Sequence, residues 1–450
     1  MKITVTADKP VDNKLTAQVT VPSADVDATI AKTYKDIAKK YNFQGFRKGH
    51  APRPVIDSMM GKQAVLAQAT NDLLNAVEPL VLEELDVTPI GRASFGDDPA
   101  LAAQGADYAA TVTIDVRPTC ELDSYDAPEV NLPPDEATEA EIDWQINQLL
   151  SYQVTYEDIE EERPVAEGDI VSVDVENVEG AERLAGKNRL MALDGNQIQP
   201  ELQDGIIGMS KGETKEISWT HEHEHEGEKH SHTFTVKVTV NAIKKAVTPE
   251  LDDEVAKKFG FDDVEKFREA VKEEIEGDKK TTIPTLKEDR VVEAMGKRLQ
   301  LETVPENYAN EIFNEIASEF LQQLQRQNMS LDMFLRARGI KTDDFISDMH
   351  AQAEDRARQS LALDAVAAKL GLEATEDDIR AEFERANVED VDAAVKQWRA
   401  EGRMPAIRDS IKRTKALDWL VDNAKVTIVD EVAERAAAEK DGAADASDAE

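Results

Sequence analysis

The most informative stretch of this chain is a basic and aromatic segment set between two glycines, Asn42-Phe43-Gln44-Gly45-Phe46-Arg47-Lys48-Gly49-His50-Ala51-Pro52. We call residues 42–52 the basic turn, because its charge is opposite in sign to the formal charge of the whole protein, -39. Residues 30–62 contain eight Lys or Arg and two acids, a local balance of eight minus two, or +6. The remaining acidic surface repels nucleic acid while this patch attracts it, so the pattern predicts that the turn binds an anionic surface.

The sequence on either side of the basic turn predicts two helices. Before it, apolar residues recur every three or four positions at Val26, Ile30, Tyr34, Ile37 and Tyr41, which is the spacing of one helical face. After it, residues 63–85 continue with a second helical pattern. Glycine permits a tight reversal between such helices, so the side chains of the turn are expected to project from the protein.

The Gly45-Phe46-Arg47-Lys48-Gly49 core, followed by Ala51-Pro52, resembles the ribosome-docking signature of the trigger factor family. The order of segments along nearly the whole chain is similar as well. A second motif similar to that family lies near the C-terminus, from Lys415-Ala416-Leu417 to Ala424-Lys425-Val426-Thr427. The resemblance implies that Phe46, Arg47 and Lys48 bind the ribosome, with Gly45 and Gly49 shaping the turn.

Composition and length predict a folded, multidomain α+β protein in a reducing cytoplasm. Of the 450 residues 41% are hydrophobic, 32% charged and only 5% aromatic, which indicates a mostly aliphatic core divided among two to four domains. The single cysteine, Cys120, excludes an intrachain disulfide. No apolar run approaches the roughly 18 residues of a membrane span, and Met1 to Thr6 alternate like a strand rather than a secretory signal.

Shifts in composition divide the chain into five predicted segments. They are an α+β ribosome-binding domain (1–116), a linker with a docking helix that begins at Thr138 (117–164), a β-rich domain (165–245), an all-α helical chaperone domain (246–430) and a disordered acidic tail (431–450). The third segment alternates strand and turn signals and resembles an FKBP-type prolyl isomerase domain. In the trigger factor family a domain of that type occupies the middle of the chain.

The predicted proline pocket of the third segment has lost most of its aromatic rings. FKBP-type pockets hold a proline ring among aromatic side chains, which bury a large area against it. Here the corresponding positions are aliphatic, and two rings lie nearby; the six residues are Val175, Leu184, Ile198, Leu202, Trp219 and Phe234. Two interpretations stay open: a weak isomerase, or a retained FKBP-like module that contacts clients.

Five of the seven histidines lie in one short segment, as His221, His223, His225, His230 and His232. In extended chain the first three share a face, and a turn at Gly227 would bring the last two opposite them, which suits Zn²⁺ or Ni²⁺. A solvated loop kept soluble by alternating Glu and His explains the pattern as well. Adventitious metal binding is the favoured interpretation, and no physiological metal site is predicted.

Residues 246–430 predict an open array of helices that offers apolar surface to other proteins. The candidate client contacts, offered as a group rather than singly, are Met329, Met333, Phe334, Phe345, Met349 and Met404. Most single apolar residues of this kind belong to a core.

The sequence therefore predicts an ATP-independent chaperone that docks near the nascent-chain exit of the ribosome. Its expected partners are the ribosome, through protein and rRNA, nascent and unfolded polypeptides and, when free, a second copy of the chain. It has no phosphate-binding loop or cysteine pair, so no cofactor is expected. A free prolyl isomerase and a metal-binding protein on an isomerase scaffold remain as alternatives.

Overall fold

The computed structural model describes residues 1–159, 161, 163–194, 198–225 and 228–438. Side chains of residues 221–232 are outside the description. Contacts divide the chain into two units, Met1–Leu132 with Ile283–Ile428, and Pro133–Thr282 with Val429–Glu450. Among the described helices, none combines the length and apolarity needed to cross a membrane.

The first unit begins with a three-stranded antiparallel sheet, β1 (Thr4–Ala7), β2 (Lys14–Val21) and β3 (Tyr108–Asp115), in the order β1-β2-β3. Alternate residues of β2, such as Val19 and Val21, are buried, as period-2 patterning requires. Three helices share one core with this sheet: α1 (Ser23–Lys40), α2 (Arg53–Met60) and α3 (Lys62–Leu85). The predicted α+β module is confirmed, although the sequence reading missed α2.

The helices of the first unit form two further cores. These helices are the second part of α7 (Val264–Lys297), then α8 (Glu306–Arg326), α9 (Leu331–Arg338), α10 (Thr342–Leu370), α11 (Glu376–Arg385), α12 (Val391–Ala400) and α13 (Met404–Asn423). In the larger core, α10 contributes Ala353, Ala357 and Leu361, fully buried against residues of α7, α8 and α13. Two short strands, β4 (Glu129–Leu132) and β10 (Lys425–Ile428), pair in parallel.

A buried ion network joins the end of the β3 segment to the helices within this unit. Arg117 lies against both Asp364 of α10, at 2.9 Å from Nη1 to Oδ2, and Asp409 of α13. Thr88 also donates its hydroxyl to Asp409 Oδ2 at 2.8 Å. Burial raises the pKa of the Asp364 carboxyl, while Arg117 and Arg413 act against that rise.

The second unit contains an antiparallel sheet in the order β5-β9-β6-β7, with β8 also paired to β9. Its strands are β5 (Thr155–Asp158), β6 (Ile170–Glu179), β7 (Gly186–Ala192), β8 (Thr214–His225) and β9 (Glu228–Val247). The short helix α5 (Pro200–Ile206) packs so closely on β8 that a Cβ at Gly205 would lie 2.6 Å from Ile217 Cδ1. A larger residue at position 205 would therefore require the Ile217 side chain to shift.

The predicted docking helix, α4 (Glu139–Ser151), packs in this unit against α6 (Asp253–Lys258) and the first part of α7. Its start has the capping box expected from the sequence: the Glu141 N–H donates to Thr138 Oγ1, and the Thr138 N–H donates to Glu141 Oε2. Residues 431–438, assigned in the sequence reading to the disordered tail, are helical, because Asp430 caps them by accepting the Ala433 N–H at 2.9 Å. Residues 439–450 lie outside the description.

Candidate functional site

The basic turn connects α1 to α2 and contains two phenylalanines with opposite environments. Phe43 is 5% exposed and belongs to the core of the first module, whereas Phe46 is 42% exposed. Phe43 therefore anchors the turn, and Phe46 is free to contact another molecule. Tyr41, assigned from its spacing to the apolar face of α1, lies just beyond the helix and is exposed, because α1 ends at Lys40.

Backbone hydrogen bonds give the basic turn a defined shape. The Phe46 N–H donates to the Phe43 carbonyl at 3.1 Å, and the Gly49 N–H donates to the Ala38 carbonyl of α1 at 2.8 Å. Gly45 and Gly49 have φ of +85° and +87°, a region that residues with a Cβ adopt at a cost. Both glycines are needed to hold Phe46, Arg47 and Lys48 in a reversal tied back to the helix.

Arg47 and Lys48 are exposed at the outer part of this turn. Neither forms an ion pair with any residue in the described part of the chain. Their charges are therefore available to an outside partner. The exposed ring of Phe46 lies beside them in sequence, so this short segment offers a partner both charged groups and an apolar surface that can be buried.

A second cluster lies at the base of the turn and contains Arg53 and Asp57, two of the residues counted in the local charge balance of residues 30–62. The Tyr34 hydroxyl donates to Asp57 Oδ1 at 2.6 Å, and the Arg53 guanidinium lies 4.9 Å from the centre of the Tyr34 ring. Burial, followed by the hydrogen bond to Asp57, raises the pKa of Tyr34 to about 12. Arg53 thus packs within the module, and only spatial contact reveals this, because Tyr34 and Asp57 are far apart in sequence.

The six candidate pocket residues lie together in the core of the second unit. Val175, Leu202 and Trp219 are buried, while Leu184, Ile198 and Phe234 pack against that core partly exposed. The Trp219 and Phe234 rings stack with centroids 5.6 Å apart. The arrangement has the aliphatic character expected from the sequence, and the stacked pair supplies its aromatic part.

The histidine-rich segment occupies the ends of β8 and β9. The structure gives the pairing of these two strands there, but the side chains of His221, His223, His225, His230 and His232 lie outside the described residues. The metal-binding hypothesis for these side chains is therefore untested.

The candidate client contacts separate into two groups. Met349 and Met404 are buried, Met404 completely, so these two belong to cores and not to a client surface. Met333 is 60% exposed, and Met329, Phe334 and Phe345 are half-buried. The prediction was wrong for Met349 and Met404 because helix packing buries one face of each amphipathic helix. The sequence alone does not show whether a given methionine lies on that buried face or on the exposed one.

The structure adds Phe320, Leu321 and Ile346 to the candidate client contacts predicted from the sequence. The rings of Phe320, Phe334 and Phe345 form a cluster across α8, α9 and α10, with neighbouring centroids 5.2–6.2 Å apart. Next to each ring in sequence is an exposed apolar residue: Leu321, Met333 and Ile346, respectively. We call these three residues the apolar triplet; the ring cluster keeps the chain around them in one region.

Comparisons with known proteins give one consistent family. Residues 1–149 match the family described as bacterial trigger factor protein, and residues 263–422 match its C-terminal family. The trigger factor of Lysinibacillus sphaericus (strain C3-41) is 30% identical over 431 residues, covering 93% of this chain and 99% of the relative. That of Halalkalibacterium halodurans is 27% identical over 416 residues, covering 90% and 96%.

A solved structure, titled for promiscuous substrate recognition by the trigger factor chaperone, aligns with 94% of this chain and 99% of its own. It has 18% identity and a TM-score of 0.39, and at that score it supports no argument about this fold.

Proposed function

This chain belongs to the trigger factor family and is a ribosome-associated chaperone, and we propose that it docks near the nascent-chain exit through Phe46, Arg47 and Lys48. The observation that carries this proposal is the exposure of these three side chains on a turn whose backbone is tied to α1.

The physical basis is a local attraction that the rest of the protein opposes. Arg47 and Lys48 would pair with rRNA phosphates or acidic side chains, as charge-assisted hydrogen bonds favour. Phe46 would bury its ring at the centre of the contact, where aromatic anchors contribute most. With a formal charge of -39, the protein would be repelled from rRNA elsewhere, which orients it.

The test is co-sedimentation with purified bacterial ribosomes. We call the combined change Phe46→Ala, Arg47→Ala and Lys48→Ala in the basic turn the tip variant. We expect it to weaken binding by roughly tenfold or more, because it removes both the aromatic anchor and the two charges. A matched control changes Lys9→Ala, Val11→Ala and Lys14→Ala, two exposed cations and one exposed apolar residue near the β1–β2 turn. Equal binding by wild type and tip variant would refute the proposal.

The second part of the proposed function is capture of unfolded chains by the helical region. The apolar triplet, together with the half-buried ring cluster next to it in sequence, offers exposed apolar area on α8–α10. Such area binds many sequences weakly, because apolar burial is non-directional. Nascent chains emerging beside a docked molecule would meet this surface.

The isomerase activity that we propose for the middle domain is weak. Prolyl isomerisation needs a pocket that binds the twisted amide better than the planar one, and aliphatic residues occupy most positions where rings are expected. We further propose a cytoplasmic location, where ribosomes translate. A homodimer of free chains stays a prediction from the family resemblance.

A further inference from the structure

Strand β10 lies at one edge of the two-stranded parallel sheet that it forms with β4, and in the described part of the chain it pairs with no other strand. The Lys425 N–H donates to the Pro128 carbonyl at 3.0 Å, and this bond determines which backbone groups of β10 point toward β4. The direction alternates along a strand, so those of Lys425 and Thr427 face β4. The N–H and C=O groups of Val426 and Ile428 therefore face outward.

The two edges of this sheet differ. On β4, Asn131 is a residue that faces away from β10, and its carbonyl accepts a hydrogen bond from the Arg290 guanidinium of α7. Among the described residues, no such partner reaches the outward groups of Val426 and Ile428. Unpaired backbone groups along an exposed edge are a template for another extended chain.

The side chains continue the buried face of the sheet to that open edge. Residues opposed in the register share a face, so Val426 and Ile428 lie on the same face as Val130 and Leu132. Val130 and Leu132 are 5% and 4% exposed, whereas Val426 and Ile428 are 40% and 57% exposed. The apolar rows thus begin in the core and reach the rim of the sheet without being covered there.

These features together specify the chemistry of an occupant. Alternate residues of an extended polypeptide repeat at about 7 Å, the spacing at which β10 presents its outward groups. Side chains of a third strand next to Val426 and Ile428 would continue the apolar rows. The side chains between them would lie on the face that has the exposed ion pair of Lys425 with Glu129. The edge therefore fits an extended segment with apolar residues at every second position.

We propose that β10 binds such a segment of an unfolded client as a third strand, with Val426 and Ile428 providing the backbone hydrogen bonds and the apolar contacts. The inference rests on the proposed capture of unfolded chains and adds to it a site that reads the backbone. A second copy of this chain fits the edge less well. Two four-residue strands bury little area against each other, and a formal charge of -39 opposes self-association.

The first test measures binding of a fluorescein-labelled peptide to the full-length chain by fluorescence anisotropy. The peptide has valine at every second position, threonine between the valines and lysine at both ends. Val426→Pro removes the outward N–H and keeps an apolar side chain at a position where an edge strand tolerates proline. We expect affinity to fall by roughly fivefold or more, because the added strand loses a hydrogen bond and meets the proline ring.

The matched control is Val426→Thr, which keeps the N–H and the β-branched shape. We expect it to change affinity by less than about twofold, because backbone hydrogen bonds supply most of the affinity of an added strand. Wild-type affinity in Val426→Pro, with wild-type circular dichroism, would overturn the proposal.

A second measurement uses the wild-type chain and alters the probe. Methylating the backbone nitrogens of the peptide removes the donors that a third strand needs and leaves its side chains in place. We expect the methylated peptide to bind roughly tenfold more weakly. Equal affinity for the two peptides would show that side chains alone carry the binding and would overturn the proposal. So would sedimentation showing a wild-type dimer that Val426→Pro converts to monomers, because the edge would then belong to a second copy.

Failure of this site can be distinguished from failure of the proposed client capture on α8–α10. If Val426→Pro binds the peptide normally while changes in the apolar triplet weaken suppression of aggregation, the edge site is wrong and capture on α8–α10 stands. If Val426→Pro loses the peptide while changes in the apolar triplet leave suppression intact, the edge site is supported and capture on α8–α10 is wrong.

Discussion

At the scale of single residues, Arg117 illustrates how one side chain supports a buried network. Its guanidinium lies against Asp364 and Asp409, with side-chain exposures of 15%, 30% and 20% for the three residues. Removing one partner of a buried ion pair costs more than the pair contributes, because the remaining charge is left uncompensated. Removing one member of this network is therefore expected to lower the free energy of unfolding by more than the whole network contributes to it.

We expect Arg117→Ala to destabilise the protein by less than the about 3–5 kcal/mol that breaking a fully buried pair costs, since Asp364 keeps Arg413 and Asp409 keeps Lys412, each at 3.6 Å. Adding Asp364→Asn should return part of that loss, because it removes one of the two charges. Urea denaturation followed by circular dichroism measures both. An Arg117→Ala change that leaves the transition unaltered would show that the network contributes nothing.

The same variant has a predicted pH dependence. Burial raises the pKa of Asp364, and Arg117 opposes that rise, so losing Arg117 raises this pKa further. A carboxyl whose folded-state pKa is above its unfolded value binds more protons when folded, and stability is lost as pH rises through the folded-state pKa. The stability difference between wild type and Arg117→Ala should therefore be smaller near about pH 5 than near about pH 7.5. A constant difference would contradict this.

Residue roles were predictable only where local pattern determines exposure. The positions of Phe46, Arg47 and Lys48 between two glycines indicated projecting side chains, and all three are exposed. The burial of Phe43 was not predictable, because an aromatic three residues away has the same local signals. Met404 looked like a surface contact and is fully buried, since its environment depends on α11 packing against α13.

At the scale of elements, the middle sheet permits a direct prediction about catalysis. Val175 and Leu202 are buried in the sheet core rather than arranged as an open aromatic cage, and the stacked Trp219–Phe234 pair is the remaining aromatic contribution among the six candidates. Each tenfold change in rate corresponds to about 1.4 kcal/mol of transition-state stabilisation. The loss of several ring contacts should therefore lower the catalysed isomerisation rate by a measurable factor.

We expect the full-length chain to accelerate isomerisation of a Phe-Pro peptide at least roughly tenfold less than an ordinary FKBP-type domain. A protease-coupled assay measures the rate, with Phe234→Leu as the variant that should lower what activity remains. A wild-type rate equal to that of the ordinary domain would contradict the assignment of these aliphatic positions.

Element boundaries were predicted well for long periodic helices and poorly for short or distant pairs. Helix α3 runs from Lys62 to Leu85, within one residue of the range 63–85 indicated by its pattern. The parallel pair β4–β10 was missed because each strand has four residues and its partner is far away in sequence. Helix α12 was missed for a related reason: it is short, and none of its residues is buried.

At the scale of the whole molecule, the linear domain scheme and the contact units differ. The sequence reading ended the first domain at residue 116 and began the helical domain at 246, but contacts join residues 1–132 to residues 283–428. Helix α7 contains residues of both units. Composition shifts mark linkers along a chain and contain no information about tertiary pairing between distant segments.

If docking uses the basic turn and client capture uses the apolar triplet, as proposed, the two functions should be separable by mutation. We expect the tip variant to suppress aggregation of a denatured reporter as well as wild type. Replacing the apolar triplet, by Leu321→Ser, Met333→Ser and Ile346→Ser, should weaken suppression and leave ribosome binding unchanged, since apolar area contributes roughly 25 cal/mol per Å² wherever it is buried. Light scattering and co-sedimentation provide the two readouts.

Two outcomes would contradict that separation. If the tip variant loses suppression, clients bind the first module. If the triplet variant suppresses aggregation normally while its circular dichroism matches wild type, the client surface lies outside α8–α10.

The most direct test of the central claim is site-specific cross-linking of the protein on the ribosome. A photoreactive amino acid replaces Phe46 in one variant and Val11, an exposed residue of the same module, in another. We predict that illumination links position 46 to a ribosomal protein or rRNA in high yield and position 11 much less. Equal yields at the two positions, or a cross-link at position 11 alone, would show that the basic turn is not the docking site.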